Sequence, residues 1–138
     1  MRIVIDTNLI LSAIIKNSAT RHMIMALEAE FYYPDESLDE IFRNKGEVLE
    51  KAGISEEEFN KIFLTIFKYL RLIKRIEFEK NIKKAEEIIG KIHKNDVIFV
   101  AAALTKDAII WSNDEHFKKQ NEVAVLTTKE IILNYKKL

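Results

Sequence analysis

The chain opens with Ile3-Val4-Ile5 and breaks at once to Asp6-Thr7-Asn8. Three consecutive β-branched residues with no polar alternation suit a strand buried on both faces, the kind found in parallel sheets covered by helices on either side. Asp, Thr and Asn are residues that open helices, so a strand–loop–helix start is expected. The remainder repeats that alternation. Helices are predicted over residues 9–16 and 19–30, separated near Asn17-Ser18, and Phe31-Tyr32-Tyr33 before Pro34 reads as a second strand. Leu38, Ile41, Phe42, Val48, Leu49 and Ala52 recur at helical spacing, with Gly46 a weak point. Ser55 with Glu58 forms a capping-box pattern that opens a helix carrying Phe59, Phe63, Ile66 and Phe67 on one side. A strand over 72–76 and a helix over 79–90 follow, then a nearly all-apolar helix over 96–105 with three successive alanines, suited to lying close against a sheet. Strands over 108–111 and 123–126, a short helix over 114–119 and a last helix over 128–136 complete the pattern. The implied class is α/β: a three-layer α/β/α arrangement around a central parallel sheet of about five strands. Residues 1–138 are expected to form a single domain, with no linker, repeat or low-complexity stretch.

Composition removes several classes of chemistry. The sequence has no cysteine, which excludes disulfide frameworks, zinc ribbons, iron–sulfur sites and thiol nucleophiles, and makes a reducing, cytoplasmic setting the expectation. Any metal must sit on oxygen or imidazole. No stretch approaches the ~20 apolar residues of a membrane span, and Asp6 cuts short the only apolar run near the start. The formal net charge is zero, but Lys and Arg are outnumbered by acids 8 to 12 in residues 1–69 and outnumber them 14 to 10 in residues 70–138.

Open α/β sheets bind ligands beyond the carboxyl ends of their strands, so polar residues just after strands are the first candidates for chemistry. Asp6 follows the first strand and Asp114 the fourth; Asp96 opens the apolar helix before that fourth strand, and Glu40 stands near the start of the helix after the second. Carboxylates gathered at one sheet edge repel one another unless a hard divalent cation such as Mg²⁺ or Mn²⁺ neutralises them. Such an ion serves phosphodiester chemistry by binding phosphate oxygen and acidifying a water. Each acid also has a structural reading: Asp6, Asp96 and Asp114 could each cap a helix, and Glu40 points away from the apolar stripe, as solvated residues do. On spacing alone Asp35, Glu36 and Asp39 compete with Glu40. His22, His93 and His116 show no ligand-like pairing in sequence and read as solvated side chains.

Four segments in order carry a resemblance: the first strand running into Asp6-Thr7-Asn8-Leu9, Pro34 followed by Glu40, Asn95-Asp96 leading Val97 to Leu104, and Trp111-Ser112-Asn113-Asp114-Glu115-His116-Phe117. Together they resemble the successive signatures of PIN-domain nucleases, and the likeness spans nearly the whole chain. The resemblance implies an acidic pocket of Asp6, Glu40, Asp96 and Asp114, with the three aspartates as metal ligands. Thr7 or Asn8 and Ser112 or Asn113 would assist through hydrogen bonds. It also selects Glu40 over its neighbours. Small members of that family include VapC-type toxins, which cleave RNA and pair with an antitoxin.

The expectation is therefore a Mg²⁺- or Mn²⁺-dependent endoribonuclease, as the toxin of a type II toxin–antitoxin pair, with RNA as substrate and an antitoxin protein as partner. A non-catalytic RNA-processing or assembly module is the alternative. An aspartyl-nucleophile phosphatase ranks lower, because it wants a second Asp where Asn8 stands. The helices bearing Ile10, Ile14, Ile15, Met23, Ile24, Leu27, Phe59, Phe63 and Phe67 offer ample apolar surface, from which a homodimer is expected, as in small PIN proteins. Arg71, Lys74, Arg75, Lys83 and Lys84 are candidates for an RNA-binding groove.

Overall fold

A computed structural model of the chain describes residues 1–15, 18–91 and 93–134. Strand β1 (Arg2–Ile5) leads into α1 (Thr7–Ile14) and α2 (Ala19–Ala26), and β2 (Glu30–Pro34) follows. A 3₁₀ turn (Asp35–Ser37), α3 (Leu38–Arg43), α4 (Lys45–Ala52) and α5 (Glu56–Phe67) lead to β3 (Leu70–Ile73). Then come α6 (Arg75–Phe78), a 3₁₀ turn (Glu79–Asn81), α7 (Ile82–Ile89), α8 (Lys94–Lys106) and β4 (Ile109–Trp111). A 3₁₀ turn (Glu115–Lys119), β5 (Val125–Leu126) and α9 (Thr128–Asn134) end the described chain.

The five strands form one sheet in the order β3-β2-β1-β4-β5, every neighbouring pair parallel. The α/β class and the five-stranded parallel sheet expected from the alternation are thus present. Ile3, Val4 and Ile5 point alternately to opposite faces and are all fully buried, so both faces of the sheet are covered. Right-handed crossovers explain how: the chain steps outward from β1 to β3, then returns past β1 to β4, so α1–α5 and α6–α8 fall on opposite faces. The alanines of α8, Ala101 to Ala103, are buried where that helix packs on β1, β2 and β4. Their small side chains permit the close approach.

Where boundaries differ from expectation, local hydrogen bonds decide. The second helix ends at Ala26 rather than residue 30, because Glu30 is drawn into β2 by its N–H bond to the Met1 carbonyl and its register with Arg2. The helix after β2 breaks at Asn44, not at Gly46; the Asn44 Nδ2 donates to the Glu40 carbonyl and ends α3. Strand β3 starts two residues and ends three residues earlier than expected, since the Lys74 N–H is taken by Glu77 Oε2 in a cap that starts α6. Ile76 is therefore 82% exposed instead of a strand residue. The expected helix over 79–90 begins only at Ile82, behind α6 and the 3₁₀ turn, and the expected strand over 123–126 is confined to Val125–Leu126. The capping box at Ser55 forms as read. Helix ends expected at residues 16 and 136, and Asn17 of the expected break, lie outside the described residues.

The apolar surface assigned to a partner chain is largely used inside the molecule. Ile10, Ile14, Ile24 and Phe59 are essentially fully buried, because α1, α2 and α5 pack against one another. Among the described residues no helix is long and apolar enough to cross a membrane.

Candidate active site

The strand order reverses at β1, whose neighbours β2 and β4 are reached by crossovers in opposite directions, and the crevice at such a switch point is where open α/β sheets bind ligands. Asp6 and Ser112 are the residues immediately beyond β1 and β4 there. The Asp6 N–H continues the ladder to the Trp111 carbonyl at 3.1 Å. Asp6 is only 8% exposed and occupies the cap position of α1, yet its side chain makes no capping bond. Its Oδ2 instead accepts the Ser112 hydroxyl at 2.7 Å. Ser112 Oγ in turn accepts the Asp114 N–H at 3.0 Å, so one buried hydroxyl links both acids. Asp114 does serve as a cap: its Oδ1 accepts the His116 N–H at 2.9 Å and starts the 3₁₀ turn.

Asp96 sits in the first turn of α8 without capping it, and its Oδ2 is buried with no hydrogen-bond partner. Glu40 is half-buried on α3, and its Oε1 is likewise buried and unpartnered. Among its competitors, Glu36 is held by Arg75 at 3.3 Å, whereas Asp39 is exposed. The direction of Glu40 away from the apolar stripe is as the helical wheel gives it, but that direction faces the other acids rather than bulk water.

The acids feel one another. Burial raises the pKa of Asp6 above the usual carboxylate value; the Ser112 bond works against this, while the charges of Asp114 and Asp96 add to it. Burial also raises Glu40, reinforced by Asp6 and Asp96 and opposed by Arg43. Asp96 is raised by burial and then by Asp114, with His93 and His116 opposing. All four carboxylates thus lie within one electrostatic cluster.

The supporting residues divide. The Thr7 hydroxyl lies 2.8 Å from the Tyr33 hydroxyl, and Tyr33 donates to the Ser37 carbonyl, also at 2.8 Å. Tyr33 has one proton to give, so Thr7 is the donor between them. Burial, with the charges of Glu40 and Asp6, keeps Tyr33 protonated. Asn113 Oδ1 accepts the Thr128 N–H at the start of α9. Asn8 is exposed and lines, with Asp6 and Asp114, a cleft of about 350 Å³.

Two features have no sequence signal. Tyr33 ties the β2–α3 corner, and hence Glu40, to the segment that carries Asp6. His93 and His116 stack at 4.8 Å, and His116 Nδ1 stands 3.5 Å from Asp114 Oδ1 and 3.8 Å from Asp96 Oδ2. Among the expected groove cations, Arg71 pairs with Glu30 and Arg75 with Glu36; Lys74, Lys83 and Lys84 are exposed.

As they stand, no three His, Asp or Glu side chains among the described residues converge closely enough to enclose an ion. The donors are nonetheless of the kind that hard cations take: carboxylate oxygens, two of them buried without any hydrogen-bond donor.

Comparison with known proteins agrees with this fold. The sequence matches the PIN domain over residues 4–136. Comparison with curated proteins gave no match. Among solved structures, one similar chain comes from the crystal structure of VapBC2 from Rickettsia felis bound to a DNA fragment from their promoter. It superposes with a TM-score of 0.63 over 92% of this chain and 98% of that one, at 16% identity, a likeness of fold. With the match extending from β1 beyond the start of α9, the chain belongs to the PIN domain family.

Proposed function

We propose that residues 1–138 act as one metal-dependent endoribonuclease domain that cleaves single-stranded RNA. The observation that carries this is the pair of buried oxygens that accept no hydrogen bond, Glu40 Oε1 and Asp96 Oδ2, within a cluster of acids. A buried carboxylate oxygen without a donor, among like charges, is costly unless a cation sits against it. Asp6, Asp96 and Asp114 would hold Mg²⁺ or Mn²⁺. When bound, the ion supplies Lewis acidity toward a phosphate oxygen and lowers the pKa of an attacking water.

The chain's own groups supply the rest. Ser112 holds Asp6 by its Oδ2 and fixes the carboxylate's orientation. Glu40, whose proton affinity burial has raised, is suited to position the attacking water and take its proton. Asn8, exposed in the cleft beside Asp6, is placed to touch substrate, whereas Thr7 and Asn113 act through the scaffold. Membership of the PIN family and the motif resemblance support the role of toxin in a toxin–antitoxin pair, with an antitoxin protein as partner.

The test is cleavage of single-stranded RNA with Mn²⁺, which a chelator and D6N should each abolish. Full, chelator-sensitive activity in a nuclease-free D6N preparation overturns the assignment. Calorimetric titration with Mn²⁺ separates the alternative: absence of binding at millimolar metal favours a non-catalytic RNA-processing or assembly module.

A further inference from the structure

Beside the acids lies a cavity of about 540 Å³ that this chemistry does not use, within the range of roughly 300–1,000 Å³ typical of small-molecule sites. It is formed where α7 meets α8. Lys94, Val97 and Ile98 fall on one face of α8 at helical spacing, and Ile82 and Glu86 on the facing side of α7. Ile82, Val97 and Ile98 make an apolar wall, while Arg75, Lys91 and Lys94 bring positive charge. Glu36 lines this cavity and also the cleft that holds Glu40 and Asn95, so the two adjoin at Glu36, beside the first turn of α8 that carries Lys94, Asn95 and Asp96.

The charges within it are sorted. Arg75 is matched by Glu36 at 3.3 Å. Lys91 and Lys94 have no ion-pair partner among the described residues, and Glu86, on the α7 wall, has none either. An apolar wall with two unmatched cations and a carboxylate on its rim complements a nucleotide. The base lies against aliphatic side chains, the phosphate meets the lysines, and Glu86 repels phosphate from its own side while accepting an N–H from an amino-bearing base.

We propose that this cavity binds one nucleotide of a single-stranded RNA, next to the phosphodiester presented to the acidic cluster. The identity of the strand rests on the nuclease reading above; the nucleotide chemistry rests on the cavity.

The test uses the D6N chain with a chelator, so that binding is read without cleavage. Fluorescence anisotropy with a labelled, mixed-sequence single-stranded RNA measures affinity against salt. K91A/K94A should weaken binding at least tenfold at low salt and flatten the logarithmic salt slope by about 0.7, the contribution of one phosphate contact on a single strand. I98W fills the cavity without changing charge and should cause a comparable loss. Unchanged binding in both variants overturns the proposal. So does loss in the lysine variant with I98W unaffected, which marks the lysines as a general surface track.

A measurement on the unaltered chain guards against misfolded variants. Adenosine 5′-monophosphate, titrated at millimolar concentration in chelator, should shift the amide NMR signals of Ile82, Glu86, Val97 and Ile98; shifts absent from these residues overturn the proposal. The two readings fail separately. Cleavage of RNA with no effect of the nucleotide or the variants removes the cavity alone, and cavity binding without cleavage removes the nuclease reading alone.

Discussion

The Ser112 hydroxyl donates to Asp6 Oδ2 at 2.7 Å and so joins the carboxyl ends of β4 and β1, residues 106 positions apart in sequence. Because the same oxygen accepts the Asp114 N–H, it orients two acids at once. S112A leaves a buried carboxylate oxygen and a backbone N–H without partners. The expected cost is about 1–3 kcal/mol in stability, read by thermal denaturation. Mn²⁺ affinity should fall about 10- to 100-fold by calorimetry, as when an outer partner of a metal ligand is removed. S112T keeps the hydroxyl and should retain most of both. If S112A matches wild type in both measurements, Ser112 does not hold the site.

Ser112 bonds the Asp6 carboxylate directly, whereas Tyr33 bears on Glu40 through the backbone of the segment that leads into α3. Its hydroxyl receives from Thr7 and gives to the Ser37 carbonyl, one turn before Glu40. Y33F should cost about 1–3 kcal/mol, and T7V a similar amount, since each strands a partner in a buried setting. The double variant should cost less than the sum, with a coupling of about 0.5–3 kcal/mol measured by denaturant titration of all four proteins. Strict additivity shows that the two hydroxyls do not act as a unit.

What the sequence displayed was whatever depends on neighbours in the chain. The apolar run ending at Asp6, the alanines of α8 and the capping box at Ser55 are local patterns, and each formed as read. The two strand ends, 106 positions apart, could be placed side by side only by the rule for parallel sheets. Misreadings arose where a side chain competed for the backbone: Glu77 captured the Lys74 N–H and turned an apparent strand into α6, leaving Ile76 exposed. Glu40 could not be chosen over Glu36 by periodicity, because what separates them is tertiary, the Arg75 ion pair of one and the acidic neighbours of the other. The Tyr33 bond to Thr7 and the stacking of His93 on His116 are contacts between distant segments, and no spacing announces them.

Assembly can be tested on the apolar residues that the fold leaves outside. With Ile10, Ile14 and Phe59 buried within the chain, a dimer must use others, such as Leu64 at 62% and Phe42 at 50% exposure on α5 and α3. Phe42 and Phe63 are 5.3 Å apart, so α3 and α5 meet at these two rings, with Leu64 the next residue along α5. A homodimer held this way should persist at high salt, since burying apolar area does not depend on charge screening. Light scattering at micromolar protein should give a dimer at both low and high ionic strength, and L64E should yield monomer. A monomer in both conditions removes the homodimer from the proposal.

Finally, the acidic cluster fixes the sign of a pH effect. Asp6, Glu40 and Asp96 have pKa values raised by burial, so over the window from the usual value, 3.8 for Asp, up to the raised ones the native state binds more protons than the unfolded chain. Their contribution therefore falls as pH rises through that window; below it, both states are protonated and no penalty remains. Exposed acids paired with cations, such as Glu47 and Glu56, act in the opposite sense, so the whole-protein profile mixes the two. The difference between D6N and wild type isolates the cluster. Without metal, D6N should be the more stable near pH 7 by roughly 1 kcal/mol, about 3–4 °C at this length, and the gap should close as pH falls toward the ordinary Asp value. Mn²⁺ should narrow the gap from the other side, raising the wild-type midpoint more at pH 7 than at pH 5, where protons compete for the same oxygens. Thermal scans of both proteins, with chelator and with Mn²⁺, read all of this. A D6N chain less stable than wild type at neutral pH without metal would show that the Asp6 charge is already compensated within the fold, and the case for a cation there would fall.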